Sequence, residues 1–276
     1  MSTPRGGAAV EIKGLRKSFG EKHAVAGLDL TIPRGSFYGI VGPNGAGKST
    51  TLKMVTGLLR PDEGRVVIEG IEMWRDPVAA KKVIGVLPED LGLFERLTGQ
   101  EVLAYSGLLR ALEPALIDAR VEELLAFLGL TQARNVVVAD YSQGMRKKLA
   151  LGAAVLHGPR VLFLDEPFES VDPVSSRTIR RVLKRFTESG ATVVFSSHVM
   201  ETVENLCDHV AVMHLGRLVD NGTVDQVRRG RRLEDAFVEL VGAGAGGEEG
   251  LDWLAPAPAR TRERRTRRRT RAREAE

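Results

Sequence analysis

The nine residues Gly42, Pro43, Asn44, Gly45, Ala46, Gly47, Lys48, Ser49 and Thr50 constrain the fold of this chain more than any other stretch. They fit the phosphate-binding template G-x-x-x-x-G-K-[ST]. The residues before them, Phe37 to Val41, are apolar and β-prone, and those from Ser49 to Thr56 can start a helix. A strand that runs into a glycine loop and then a helix aims several backbone N–H groups and a helix N-terminus at one point. A polyphosphate is the natural occupant of such a point. Gly42, Gly45 and Gly47 are expected to let the backbone approach the phosphate oxygens where a Cβ would collide. Lys48 is expected to reach the β- and γ-phosphates, and the Ser49 hydroxyl to hold Mg²⁺. The bland alternative, a glycine-rich turn that matches by coincidence, does not account for the strand before it and the helix after it.

A second stretch answers the first. Val161, Leu162, Phe163 and Leu164 form an apolar run that ends in two adjacent carboxylates, Asp165 and Glu166, before Pro167. In an α/β sheet the ligand crevice lies at the carboxyl ends of the strands, which would bring Asp165 beside the phosphate loop. One carboxylate then holds Mg²⁺ while the next activates a water against the γ-phosphate. Read alone, the pair could equally be an acidic cap for a following helix. His198 follows a further strand, Thr192 to Ser196, and a neutral imidazole there could hydrogen-bond the γ-phosphate or the attacking water.

The rest of the chain supplies the setting. Val10–Lys13 and Ala24–Ile32 alternate apolar and polar residues, as antiparallel edge strands do. Val66–Ile68 and Ile71 read as a hairpin, and Val83–Leu87 as a buried strand. From Thr98 to Leu130 the period is helical, with Pro114 between two helices and Gly129 ending the second. Strand–helix alternation resumes at Val161 and continues to a helix over 223–241, which indicates a largely parallel α/β sheet. Cys207 is expected to be a small buried hydrophobe and His157 a loop residue.

The net charge of +4 belongs to one end of the chain. Residues 260–276 hold nine Arg and three Glu, which leaves 31 basic against 33 acidic residues elsewhere. That balance argues against a nucleic-acid-binding body. One cysteine excludes an internal disulfide framework and a cysteine-rich zinc site. No run approaches the ~20 apolar residues that cross a bilayer, and no apolar signal segment follows the first residues, so any membrane role is expected to come through a partner.

Taken together, these residues resemble the ATP-binding subunit of an ABC transporter, over about Val10 to Val241. Gly42–Thr50 is similar to that family's Walker A loop and Val161–Glu166 to its Walker B strand. Tyr141, Ser142, Gln143, Gly144 and Met145 fall where the family signature lies, Glu169–Asp172 where its D-loop lies, and His198 at its switch histidine. Phe19 sits where the family places an aromatic under adenine. Two departures stand out: Gln143 and Met145 replace a Gly and the Gln of the usual LSGGQ, and Glu89 stands where Gln is usual. Both resemble exporters of the ABC-2, drug-resistance type.

The resemblance implies a P-loop ATPase of ABC type. It would have a mainly parallel core sheet, an N-terminal antiparallel β subdomain and a helical insertion. The expected division is a disordered 1–8, an ATPase domain over 9–241 with a helical subdomain at about 90–157, and a linker with an Arg-rich disordered tail over 242–276. ATP and Mg²⁺ are the implied ligands, with the metal on Ser49, Glu89 and Asp165. Ser142 and Gly144 would face the γ-phosphate bound to a second subunit, so the implied working form is a homodimer or a pair of ATPase subunits. The segment from Glu89 through Asp90–Arg96 would contact integral membrane permease subunits at the cytoplasmic face of the cell membrane. Other readings are an importer ATPase or a soluble ABC-type protein acting on ribosomes or DNA. Capture of a membrane protein, rather than of ribosomes or nucleic acid, separates the transporter from the second of these. The Arg-rich tail is either a solvated extension or a weak anionic-lipid contact worth ~1 kcal/mol per Arg near the surface.

Overall fold

The computed structural model describes residues 7–242. Two long strands, Ala8–Phe19 (β1) and Lys22–Pro33 (β2), open it as an antiparallel pair, with Val10 opposite Ile32 and Ile12 opposite Leu30. Phe37–Val41 (β3) runs through the glycine loop into Lys48–Val55 (α1). Glu63–Ile68 (β4) then pairs with the free side of β1, and Ile71–Glu72 (β5) pairs with β4. The resulting sheet has the order β2-β1-β4-β5. This corrects the expectation that β1 is an edge strand. It is paired on both sides, and its alternation instead records one buried face, carrying Val10, Ile12 and Leu15. The strand also starts at Ala8, inside the stretch expected to be disordered.

Pro77–Val83 (α2) is a helix that the apolar pattern does not reveal. Its cue is local: the Asp76 side chain accepts from the Ala79 N–H, and Pro77 opens the first turn. Ile84–Leu87 (β6) follows at once. Then come Gly99–Leu109 (α3), capped reciprocally by Thr98 and Glu101, and Pro114–Phe127 (α4); Pro114 separates the two helices as expected, standing as the first residue of the second. Gln143–Val155 (α5) begins inside the stretch Tyr141–Met145. Ser142 is its N-cap, and the serine hydroxyl accepts from the Met145 N–H at 3.3 Å.

The remaining elements are Val161–Asp165 (β7), Pro173–Glu188 (α6), Thr192–Ser197 (β8), Met200–Leu206 (α7), His209–His214 (β9) and Arg217–Thr223 (β10). The stretch 223–241, expected to be helical, holds two helices, Val224–Arg228 (α8) and Leu233–Val241 (α9). Arg229 and Gly230 take φ of 51° and 79° and end the first.

The second sheet has the order β10-β9-β3-β8-β7-β6, parallel except for β10 at one edge. Every residue of β3, β7 and β8 is buried, because the sheet is covered on both faces. Alternate residues divide between two cores. Val41, Leu162, Leu164 and Phe195 pack with apolar residues of α3 to α6, while Tyr38, Ile40, Phe163 and Val194 pack with the antiparallel sheet. The carboxyl ends of β3, β8 and β7 therefore share one edge. There Ile40 is opposite Ser196 and Ser196 is opposite Asp165.

His157 is more than a loop residue. Its Nε2–H donates to the Ile84 carbonyl at 2.9 Å, and burial, helped by the charge of Arg110, pushes its pKa down to about 4. Cys207 is half-buried rather than fully buried as expected, and burial of its thiol raises the pKa well above the ordinary value. The expected linker and Arg-rich tail, with its lipid contact, lie outside the described residues.

Candidate functional site

The loop between β3 and α1 is shaped by the chain's own backbone. A Cβ on Gly42 would overlap the carbonyl of Met213 at the end of β9, and one on Gly47 (φ 100°) would overlap the carbonyl of Ala24 in β2. At Gly42 and Gly47 glycine is thus required by the loop's own tight turn. Gly45 alone has open space around its Cα. The wrapped loop turns its N–H groups outward. Among the described residues the N–H groups of Gly45, Gly47, Lys48, Ser49 and Thr50 find no acceptor within the chain. All five residues line one cleft of about 370 Å³. No side chain caps the N-terminus of α1, so that end is left to attract an anion.

Lys48 is 6% exposed, and its ammonium donates to the Gly42 and Pro43 carbonyls at 2.8 and 3.3 Å. It lies 3.8 Å from Glu166 Oε1. The Ser49 hydroxyl donates to Asp165 Oδ1 at 3.1 Å. The two motifs, 116 residues apart at this contact, therefore meet at the edge formed by β3, β8 and β7.

Ser196, on the strand between them, locks the carboxylates. Its hydroxyl donates to Asp165 Oδ1 at 2.5 Å and accepts the Glu166 N–H at 3.0 Å. Glu166 is held at φ 47°, a conformation unusual for a residue with a side chain. Strain of this kind persists where the surroundings over-determine it. Here those surroundings include the His198 Nδ1, 3.1 Å from Glu166 Oε1. They also include a buried lysine on α5, Lys147, whose ammonium donates to the main-chain oxygens of Glu166 and Glu169 at 2.7 and 2.6 Å. Burial lowers the Lys147 pKa, opposed by the charges of Glu169, Glu166, Glu89 and Asp165.

The cleft gathers most of the residues singled out from the sequence: Phe19, Asn44, Gly45, Ala46, Gly47, Lys48, Ser49, Thr50, Glu89, Glu166 and His198. Gly42 and Pro43 do not line it but hold Lys48, and Asp165 stands behind Ser49. Phe19 is 53% exposed at the end of β1, with the Lys17 ammonium 5.7 Å from its ring centroid. Ser142 and Gly144 are not brought to this cleft. Ser142 is exposed, and Gly144 is packed so tightly on α6 that a Cβ would sit 2.5 Å from Asp172 Oδ2 and from Ser175 Oγ.

Glu169, at the expected D-loop, also lines the cleft, as do Lys22 and Ala24, which together with Ser196 and Lys147 escape a site assignment from sequence. A serine inside an apolar strand and a lysine inside a helix give no local signal. A larger groove of about 900 Å³ lies among Leu124, Phe127, Val155, Leu156, Val182 and Phe186. It is mainly apolar and holds none of these groups. Among the described residues no set of three His, Cys, Asp or Glu side chains is clustered for a metal. Ser49 Oγ and Asp165 are nonetheless two hard oxygen donors side by side, a pairing that suits a small cation shared with phosphate.

A sequence-family model described as "ABC transporter" matches residues 25–169. The chain is 38% identical over 213 residues to the "ABC transporter ATP-binding protein NatA" of Bacillus subtilis (strain 168), covering 77% of this chain and 87% of that protein. It is 35% identical over 214 residues to the "Linearmycin resistance ATP-binding protein LnrL" of the same strain, covering 78% of this chain and 69% of LnrL. Among solved structures, an "ATP binding subunit of ABC transporter" superposes with a TM-score of 0.79 at 30% identity, over 84% of this chain and 99% of that one. The ATP-binding cassette MJ0796, solved as a dimer in a post-hydrolysis state with ADP and Pi, superposes with a TM-score of 0.71 at 25% identity, over 78% and 98%.

Proposed function

The chain belongs to the ABC transporter family as an ATP-binding, ATP-hydrolysing subunit, and on that premise we propose how its residues carry out the reaction. The observation that carries the proposal is the meeting of Lys48 with Glu166 and of Ser49 with Asp165 in one cleft. The outward N–H groups of the loop and the N-terminus of α1 receive the β- and γ-phosphates. Lys48 exchanges its loop carbonyls for phosphate oxygens and offsets their charge. Phe19 supplies a stacking face for adenine. Ser49 and Asp165, with Glu89 lining the same cleft, would hold Mg²⁺, which would supply positive charge against that of the phosphates during transfer. Glu166 takes the proton of the attacking water, and His198, whose Nδ1 lies 3.1 Å from the same carboxylate, orients that water and the γ-phosphate.

Ser142 and Gly144 complete the site of a second copy. They lie apart from the cleft of their own chain, at the N-terminus of α5, where an anion is stabilised. Two ATP molecules between two subunits close the dimer, and hydrolysis opens it. The helical segment of about 90–157 carries that motion to the permease. The segment after Glu89 leads to an exposed apolar group, Phe94 edge-on to Tyr105 at 5.2 Å with Leu108 and Leu109 nearby on α3, which suits a membrane partner. Through that permease the chain works peripherally at the cytoplasmic face; among the described residues no helix is long and apolar enough to cross a membrane. Export is the direction proposed, since resistance proteins such as LnrL and DrrA are among its relatives.

The test is Glu166→Gln. With ATP and Mg²⁺ the variant should lose turnover and accumulate as an ATP-bound dimer. Hydrolysis at the wild-type rate would show that Glu166 is not the base. Loss of turnover without a dimer, in the presence of the permease as well as alone, would remove Ser142 and Gly144 from the partner's site.

A further inference from the structure

We propose that Lys147 is a positioning residue that ties helix α5 to the main chain of Glu166, so that the helix offered to the second subunit also sets the base of the chain's own site. The proposal rests on the assignment of Glu166 as that base. Lys147 is 4% exposed, and its ammonium holds the main-chain oxygens of Glu166 and Glu169. The Glu169 N–H also donates to the Glu166 oxygen, at 3.3 Å, so one carbonyl both closes the turn and receives the lysine.

That turn would not persist unaided. Glu166 and Ser170, at φ 47° and 55°, both stand in the left-handed region that side chains disfavour. Satisfying two carbonyls does not by itself require a charge, and burying an ammonium is a costly way to do it. The cost has a local counterpart, because Glu166, Glu169, Glu89 and Asp165 all bear on this lysine. The ammonium offsets their mutual repulsion while it fixes the turn from which Glu166 projects.

The position of Lys147 in the sequence gives the tie its direction. It stands five residues after Ser142 on the same helix, which Leu149 and Leu151 anchor in the core. A shift or rotation of α5, made when Ser142 engages the partner's nucleotide, moves the ammonium and with it the backbone of Glu166. Each subunit would thus sense the partner's ATP through the residue that aims its own base. A purely structural lysine would instead hold the turn equally well with or without a dimer, and its loss would be felt in folding.

Lys147→Met keeps an unbranched side chain only one atom shorter and removes its donors, and Lys147→Gln restores a neutral donor on an arm of the same length as Met. Both are compared with wild type and Glu166→Gln in the full chain, by kcat and KM for Mg-ATP, ATP affinity and thermal midpoint. Lys147→Met should lower kcat about 10- to 100-fold, the scale of one or two charge-assisted hydrogen bonds. KM and ATP affinity should stay within about twofold, and Lys147→Gln should fall between. Wild-type kcat in Lys147→Met, with Glu166→Gln inactive, would overturn the tie and leave the base assignment standing. Turnover by Glu166→Gln would overturn both. Equal losses of kcat, ATP affinity and thermal midpoint in the two lysine variants would reduce Lys147 to a folding element. Should Lys147→Met fail to fold, Lys147→Gln is judged by the same kcat-against-affinity criterion.

Discussion

Replacing Ser196 by Ala removes one oxygen atom, yet it should be felt in both stability and turnover. Ser196 is fully buried, and its hydroxyl serves two partners, the Asp165 carboxylate at 2.5 Å and the Glu166 N–H at 3.0 Å. Loss of a hydrogen bond to a charged acceptor costs about 1.5–3 kcal/mol, and an orphaned buried N–H about 1–3 kcal/mol. The two losses share one relaxation, and Ser49 still donates to Asp165, so a net ~3 kcal/mol is expected rather than the sum. For a domain of this size ~1 kcal/mol moves the melting midpoint by about 2–4 °C, which gives a fall of about 6–12 °C. Ser36→Ala is the matched control. Ser36 is 3% exposed, and its hydroxyl donates to the neutral Pro33 carbonyl at 2.7 Å, before β3 and away from the cleft. It should cost only ~1 kcal/mol and leave ATPase activity intact, whereas Ser196→Ala should lower kcat about tenfold or more by releasing both carboxylates. The assay is thermal unfolding together with steady-state ATP hydrolysis. Equal midpoints for the two variants, with full activity in Ser196→Ala, would refute the view that Ser196 locks the pair.

Two further outcomes are expected. His157 has a folded pKa of about 4, below its ordinary value of 6.5. The unfolded chain therefore binds this proton first as pH falls, and stability should drop between about pH 6.5 and pH 4 and then level off for this group. After allowance for partial exposure the effect is ~1–2 kcal/mol, read as the difference between wild-type and His157→Gln urea midpoints across that range. Parallel curves would sink the idea. Phe19→Ala should raise the KM for ATP about tenfold with little change in kcat, the scale of one base–aromatic stack. An unchanged KM would take Phe19 out of the adenine site.

The helical insertion and the site were legible in the sequence to different depths. Leu103, Val121 and Leu125 announce their helices by spacing, and all three are buried where that spacing puts them. Helix boundaries were less legible, because caps decide them. Ser142 caps α5 inside the stretch Tyr141–Met145, and Arg229 with Gly230 divides the last helical stretch. The serine of β8 and the lysine of α5 could not have been read as parts of a site, since their partners are 30 or 31 and 19 or 22 residues away and no periodicity records such contacts.

By itself the sequence determined the phosphate loop, the alternation of strand and helix, and the identity of the two carboxylates. These are local properties, written in glycine spacing, apolar period and the abrupt end of an apolar run. Only the tertiary structure decided that β8 lies between β3 and β7 in a register that sets Ser196 against Asp165. It also decided that Gly42 and Gly47 give way to the chain's own carbonyls, and that Lys147 reaches the strained main chain of Glu166. Each of these depends on strand order and close packing, which bring together residues that share no pattern along the chain.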